Sequence, residues 1–205
     1  MKIIMNGERI KKVFAFIFPD RRFNRSLRIL VVTNSIFVFI MGLFAPYYAV
    51  FVQNIGGTIA FAGFAWAIFS IIAGVLILLF SSWELKIKEP ELLLAFGYLL
   101  RGGVFISYAF MTSLPQLIVT QIIWGVAVAL GTPAFDSLYT SHTDKEASIA
   151  QWGGWEGIAA IMTGIGALVG GIVIQNFGYQ AVFIAMAAIS FGLGAYIWKQ
   201  PRDLL

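Results

Sequence analysis

The sequence predicts an all-α integral membrane protein of six transmembrane helices, and three observations carry that expectation. They are an apolar composition, six apolar runs of spanning length, and lysines and arginines confined to alternate connections. Of the 205 residues 60% are apolar and 12% are charged, with a mean hydropathy of +0.86, whereas roughly a quarter of a soluble domain is charged. A domain of this length must still expose much of its surface. The chain has too little polar surface to meet water, so lipid is the expected solvent.

A helix crossing the hydrocarbon layer needs about 20 predominantly apolar residues. Runs at 28–52, 59–82, 92–111, 117–139, 149–174 and 181–198 qualify. The gaps carry turn chemistry: Asn54, Gly56 and Gly57; Glu89 and Pro90; Ser113 and Pro115; Thr143 and Asp144; Asn176 and Gly178. Three parts follow: a basic N-terminal segment 1–27, a six-helix domain 28–198 and a tail 199–205. In the first, Ile3, Ile10, Phe14 and Ile17 recur at near-helical spacing opposite Arg9, Lys11 and Lys12. That suits a helix lying in the headgroup layer, with a disordered tail as the alternative. The long apolar stretch and small-residue cleavage site of a signal peptide are missing there.

Orientation follows from the basic residues, because cytoplasmic loops retain them. Lys2, Arg9, Lys11, Lys12, Arg21, Arg22, Arg25 and Arg28 precede or open the first span. Lys86 and Lys88 follow the second, Lys145 the fourth, and Lys199 and Arg202 the sixth. The connections 53–58, 112–116 and 175–180 carry no charge. Both termini and the second and fourth loops are therefore expected in the cytoplasm, with the chain multi-pass in the cell (inner) membrane. Arg101 alone falls inside a span.

Several classes are disfavoured. The formal charge of +4 and pI near 9.4 would suit nucleic acid only with basic residues clustered on a soluble face, and here they flank apolar spans. Without cysteine there is no disulfide framework or thiolate metal site. The one histidine, His142, lies in a loop beside Asp144, with neither co-ligands for a metal nor a nucleophile for a triad. No enzymatic activity, metal or cofactor is expected.

Gln121, Gly125, Pro133 and Asp136, followed by Asp144, Lys145, Glu146 and Ala147, resemble the fourth helix and following loop of the major facilitator superfamily of secondary transporters. The run Gly157, Gly164, Gly166, Gly170 and Gly171 resembles its fifth-helix motif, and residues 177–183 its next turn. The proline usual in that motif is absent. The family's signature between its second and third helices is reduced to Glu84, Lys86 and Lys88. The resemblance covers 28–198 and is stronger in the second half. It implies one six-helix half of a twelve-helix carrier, built as two inverted three-helix repeats. Residues 42–48 facing 131–139 hint at such a repeat.

In that family the first and fourth helices of each half line the substrate path. The resemblance therefore implies that Asn34, Tyr48, Gln121 and Thr132 border it, with Trp124 as an aromatic wall. Asp136 shares a stripe with Gln121, Gly125, Val128 and Thr132 at spacings of three and four, or these groups simply bond neighbouring helices. Glu156 lies about 9 Å inside the fifth span and Arg101 roughly 13 Å inside the third. An ionisable group at such depth costs ~2.5–3.5 kcal/mol. Glu156 either loads and releases a proton or pairs with Arg101, and Arg101 either pairs or snorkels toward the headgroups. Gly153 with Gly157 and Gly166 with Gly170 have the small-xxx-small spacing of close helix contacts. The sharper expectation puts Gly157, Gly164, Gly166 and Gly170 at the contact with the second helix of another copy. Trp152 and Trp155 suit an interfacial aromatic belt.

The expected function is therefore a secondary active transporter of small molecules. It works by alternating access as a homodimer of six-helix units coupled to protons, in contact with lipid and without nucleic-acid partners. The alternative is a non-transporting scaffold or regulatory subunit. The starting Met, basic flank and closing KQPRDLL point to an intact product rather than a fragment. A mostly neutral, aromatic cavity face disfavours a strongly anionic ligand and allows sugars, amphipathic drugs or neutral metabolites.

Overall fold

A computed structural model describes residues 23–84, 87–202 and 204–205. The expected amphipathic N-terminal helix lies outside the described residues, as do the side chains of Glu84 and Lys86.

Every regular element among the described residues is helical: α1 (Arg25–Phe44), a 3₁₀ turn (Ala45–Tyr47), α2 (Tyr48–Asn54), α3 (Ile59–Glu84), α4 (Pro90–Ala109), α5 (Leu114–Ser141) and α6 (Ser148–Trp198). Five stretches are long and apolar enough to cross a membrane, the first being α1 and α2 taken together, Arg25–Asn54. Pro46 explains their break, because proline has no N–H to continue the helical ladder.

The last stretch has 51 residues, about 76 Å if straight and more than twice the ~30 Å hydrocarbon thickness. It is not straight. Gly178, at φ 78° and ψ 173°, leaves the helical region and divides α6 into arms 148–177 and 179–198, where the sequence predicted a turn. Elsewhere the observed helices begin or end within a few residues of the expected spans.

Polar contacts define one end of the bundle. Asn24 accepts from the Leu27 amide, capping α1, and its amide donates to the His142 carbonyl at 2.8 Å. Ser26 Oγ donates to the Leu204 carbonyl at 2.6 Å, and Arg202 lies 3.5 Å from Glu91 and 3.7 Å from Glu89. The starts of α1 and α4, the end of α5 and the C-terminal tail therefore meet at this end, which also carries the basic connections. At the opposite, uncharged end, Tyr179 donates to the Tyr47 carbonyl at 3.3 Å.

α4 packs on both α5 and α6, α1 on α6, and α3 on α5. Small residues permit two close crossings. A methyl at Gly166 would strike the Phe39 carbonyl and one at Gly170 the Leu43 carbonyl, while Gly42 faces Thr163 and Gly166 in return. Gly97 likewise meets the Gly131 backbone, which a methyl would approach to 2.7 Å. Near the uncharged end Phe44, Phe51, Tyr108 and Phe183 form a mutually packed aromatic core, with centroids 4.7–5.7 Å apart. Such packing supplies dispersion and quadrupole complementarity where lipid offers no hydrophobic drive between helices.

Burial is uneven. In the most apolar stretches of α3 and α6 only 11% and 17% of residues are buried, against 50% or more in the other three.

Candidate functional site

Arg101 is on the side of α4 that faces both α1 and α5, and it is 5% exposed. Its guanidinium carbon stands 4.7 Å over the Phe37 ring and 6.0 Å from that of Tyr98, an arrangement that the ring quadrupole favours. Nη2 donates to Thr132 Oγ1 at 3.1 Å. Gly131 lies beside it, and a methyl there would sit at van der Waals distance, 3.4 Å from Cζ and Nη2. Tyr98 donates in turn to Asn34 Oδ1 at 3.0 Å. Arg101, Tyr98, Asn34 and Thr132 thus form one polar cluster floored by α4 between α1 and α5.

The expected Arg101–Glu156 pair does not form. Glu156 is exposed on α6, one residue on from the buried Trp155, which packs on Phe135 of α5. Its electrostatic neighbour is Asp136, also exposed. Among the described residues Arg101 therefore meets rings and a hydroxyl rather than a carboxylate.

The predicted polar stripe of α5 divides in two. Toward the uncharged end Gln121 is buried and its Nε2 donates to the Tyr48 hydroxyl at 2.6 Å, while Gly125 faces Ile72 and Ala73 of α3. Toward the basic end, around Pro133, Thr132 and Asp136 are exposed. Gln121 and Tyr48 border a tight recess of about 10 Å³, room for roughly one water, whose aromatic lining includes Trp66, Tyr108 and Trp124. Trp124 packs edge-on to Phe69, Phe105 and Tyr108, so it is a wall of that recess.

The four glycines expected at a contact between copies also separate. Gly157 and Gly164 are exposed with nothing within 4 Å of an added methyl. Gly166 and Gly170 are buried against α1 of the same chain and are unavailable to another copy. Trp152 packs at 4.6 Å on Tyr139, and Trp155 at 5.2 Å on Phe135, so both rings are held against α5. Sequence reasoning missed Phe37, Tyr98 and Gly131, which no spacing within one helix distinguishes from ordinary packing residues.

A family model described as Major Facilitator Superfamily matches residues 30–204. The chain belongs to that superfamily. Among curated Major Facilitator Superfamily relatives, it is 23% identical over 177 residues to Multidrug resistance protein MdtG of Escherichia coli O9:H4 (strain HS), covering 84% of this chain and 43% of that protein. It is 26% identical over 176 residues to the MdtG of Dickeya zeae (strain Ech586), with the same 84% and 43% coverage. It is 30% identical over 92 residues to Methylenomycin A resistance protein of Streptomyces coelicolor (strain ATCC BAA-471 / A3(2) / M145), covering 42% of this chain and 19% of that one. The chain thus spans less than half the length of these relatives. No solved structure matches it. Superfamily membership places it with transporters rather than enzymes.

Proposed function

We propose that the chain is a six-helix half of a secondary active transporter for small amphipathic molecules, and that a second copy supplies the other half. In this reading residues 28–198 cross the cell (inner) membrane six times as two inverted three-helix repeats. Gly178 turns the fifth crossing into the sixth, and both termini are cytoplasmic.

One observation carries the proposal: Thr132, Asp136 and Glu156 are exposed together beside helices whose apolar surfaces are largely unburied. Lipid covers the apolar surface of α3 and α6 without difficulty, but it gives no partner to two carboxylates. A second copy related by a two-fold axis along the membrane normal would cover that face and enclose a path between α1 and α5. The exposed Gly157 and Gly164 permit close approach of α3 from that copy.

Rocking of the two copies would open the path to each side in turn, and Glu156, beside Asp136, is the proposed proton carrier. The relatives' resistance names support amphipathic drugs as the substrate class. The experiment is a thermal-shift screen of purified protein, followed by pH-gradient-driven movement of a hit in liposomes. Glu156→Gln is expected to abolish the gradient-driven component and spare counterflow; full gradient-driven transport by the variant would refute the coupling role.

A further inference from the structure

Arg101 holds a full positive charge that nothing described in the chain neutralises. It is 95% buried by its 5% exposure, its Nε is enclosed without an acceptor, and its one hydrogen bond goes to a neutral hydroxyl. A buried cation without an anionic partner is unfavourable. Two rings recover only part of that cost. The slot is nevertheless built for it: Tyr98 is fixed by Asn34, and Thr132 orients Nη2. Thr132 is itself exposed, so the hydroxyl that accepts from the guanidinium lies on a residue open to a ligand.

We propose that Arg101 and Thr132 hold the carboxylate of an amphipathic organic acid, whose apolar body runs along α5 toward Trp124. This rests on the transport path proposed above. A planar guanidinium suits a carboxylate, and the missing counter-charge is the one such a ligand brings. Thr132 and Trp124 are eight residues apart, about 12 Å along the helix, a length that fits an aryl-alkyl acid lying along α5 from the charge toward the aromatic cluster around Trp124. The sequence disfavoured a strongly anionic ligand because the cavity face reads as mostly neutral and aromatic; Arg101, hydrogen-bonded only to a hydroxyl, adds a cation to that face.

The test compares 4-phenylbutanoate with the isosteric 4-phenylbutanamide by calorimetry on the full chain in detergent at neutral pH. The acid should bind about tenfold more tightly, equivalent to ~1.4 kcal/mol. Arg101→Gln should erase the preference and Arg101→Lys restore part of it. A merely structural arginine would leave the ratio unchanged. Equal binding of acid and amide by the unaltered protein overturns the assignment, even if the variants fail to fold, and so does an acid preference that survives Arg101→Gln. Competition by chloride that matches 4-phenylbutanoate in affinity also overturns it, because the apolar body would then add nothing. Liposome uptake separates the two readings. Acid-selective binding without uptake of either probe supports this site and sinks the carrier. Uptake of both probes at equal rates, unaltered by Arg101→Gln, sinks this site and leaves the carrier standing.

Discussion

Gln121 donates to the Tyr48 hydroxyl at 2.6 Å in a buried bond that ties the broken first span to α5, at the edge of the aromatic recess. Hydrogen bonds between membrane helices contribute about 0.6 kcal/mol on average. Removing one partner alone costs more, ~1–3 kcal/mol, because the other stays buried and unpaired. Tyr48→Phe and Gln121→Leu should each destabilise the chain by roughly 1 kcal/mol, and the double variant should lose less than the sum. Equilibrium unfolding in bicelles as a double-mutant cycle checks this; strictly additive losses would show that the bond contributes nothing.

The glycines of α6 separate packing inside the chain from packing outside it. Gly166→Ala forces a methyl onto the Phe39 carbonyl at the α1 crossing, so a loss of about 1–3 kcal/mol is expected. Gly164→Ala meets nothing within 4 Å and should leave the unfolding of the isolated chain unchanged. Parallel unfolding curves at high dilution in detergent distinguish the two, and equal losses would contradict the α1–α6 packing.

At Gly178 the backbone adopts a conformation that side chains resist, with φ 78° and ψ 173°. Gly178→Ala should cost on the order of 1–3 kcal/mol, although nothing lies within 4 Å of the added methyl. Thermal denaturation followed by circular dichroism checks it. An unchanged midpoint would mean that the two arms of α6 join without that geometry.

How much was legible follows from what lipid demands. The bilayer requires a long apolar run for each crossing, so the spans could be read from composition, and Asn176 with Gly178 marked the break inside α6. Residue pairing was less legible, because it depends on how each helix is rotated. Arg101 and Glu156 have compatible depths, but Glu156 points off α6 toward Asp136, and only the packing of Trp155 on Phe135 reveals it. Gly166 and Gly170 showed the spacing of a close contact without saying which helix they touch. Gly131 shares the same spacing with Ala127, but its close approach to Gly97 appears only once α4 and α5 are packed.

The tail contact joins a solvated pair to a buried one. Arg202 lies 3.7 Å from Glu89, where both side chains are solvated, and 3.5 Å from Glu91, whose side chain is 4% exposed. The first pair contributes at most about 1 kcal/mol and weakens with salt; loss of Arg202 also leaves the buried Glu91 without that charge, which costs about 1–3 kcal/mol. Arg202→Ala should therefore destabilise the chain by about 1–3 kcal/mol in equilibrium unfolding, with only part of the loss removed as sodium chloride is raised. An unchanged stability would show that Glu91 does not depend on the tail.

A second copy is expected to cover the exposed carboxylates of Asp136 and Glu156. Ala67 on α3 and Gly164 on α6 are both exposed, and the chain contains no cysteine of its own. Two differently tagged copies, one carrying Ala67→Cys and the other Gly164→Cys, are co-expressed at low level and oxidised in native membranes. The expected result is a band carrying both tags at twice the 22.6 kDa chain mass, absent when either cysteine is omitted. Monomer alone, with both cysteines still open to a maleimide, would contradict the pairing.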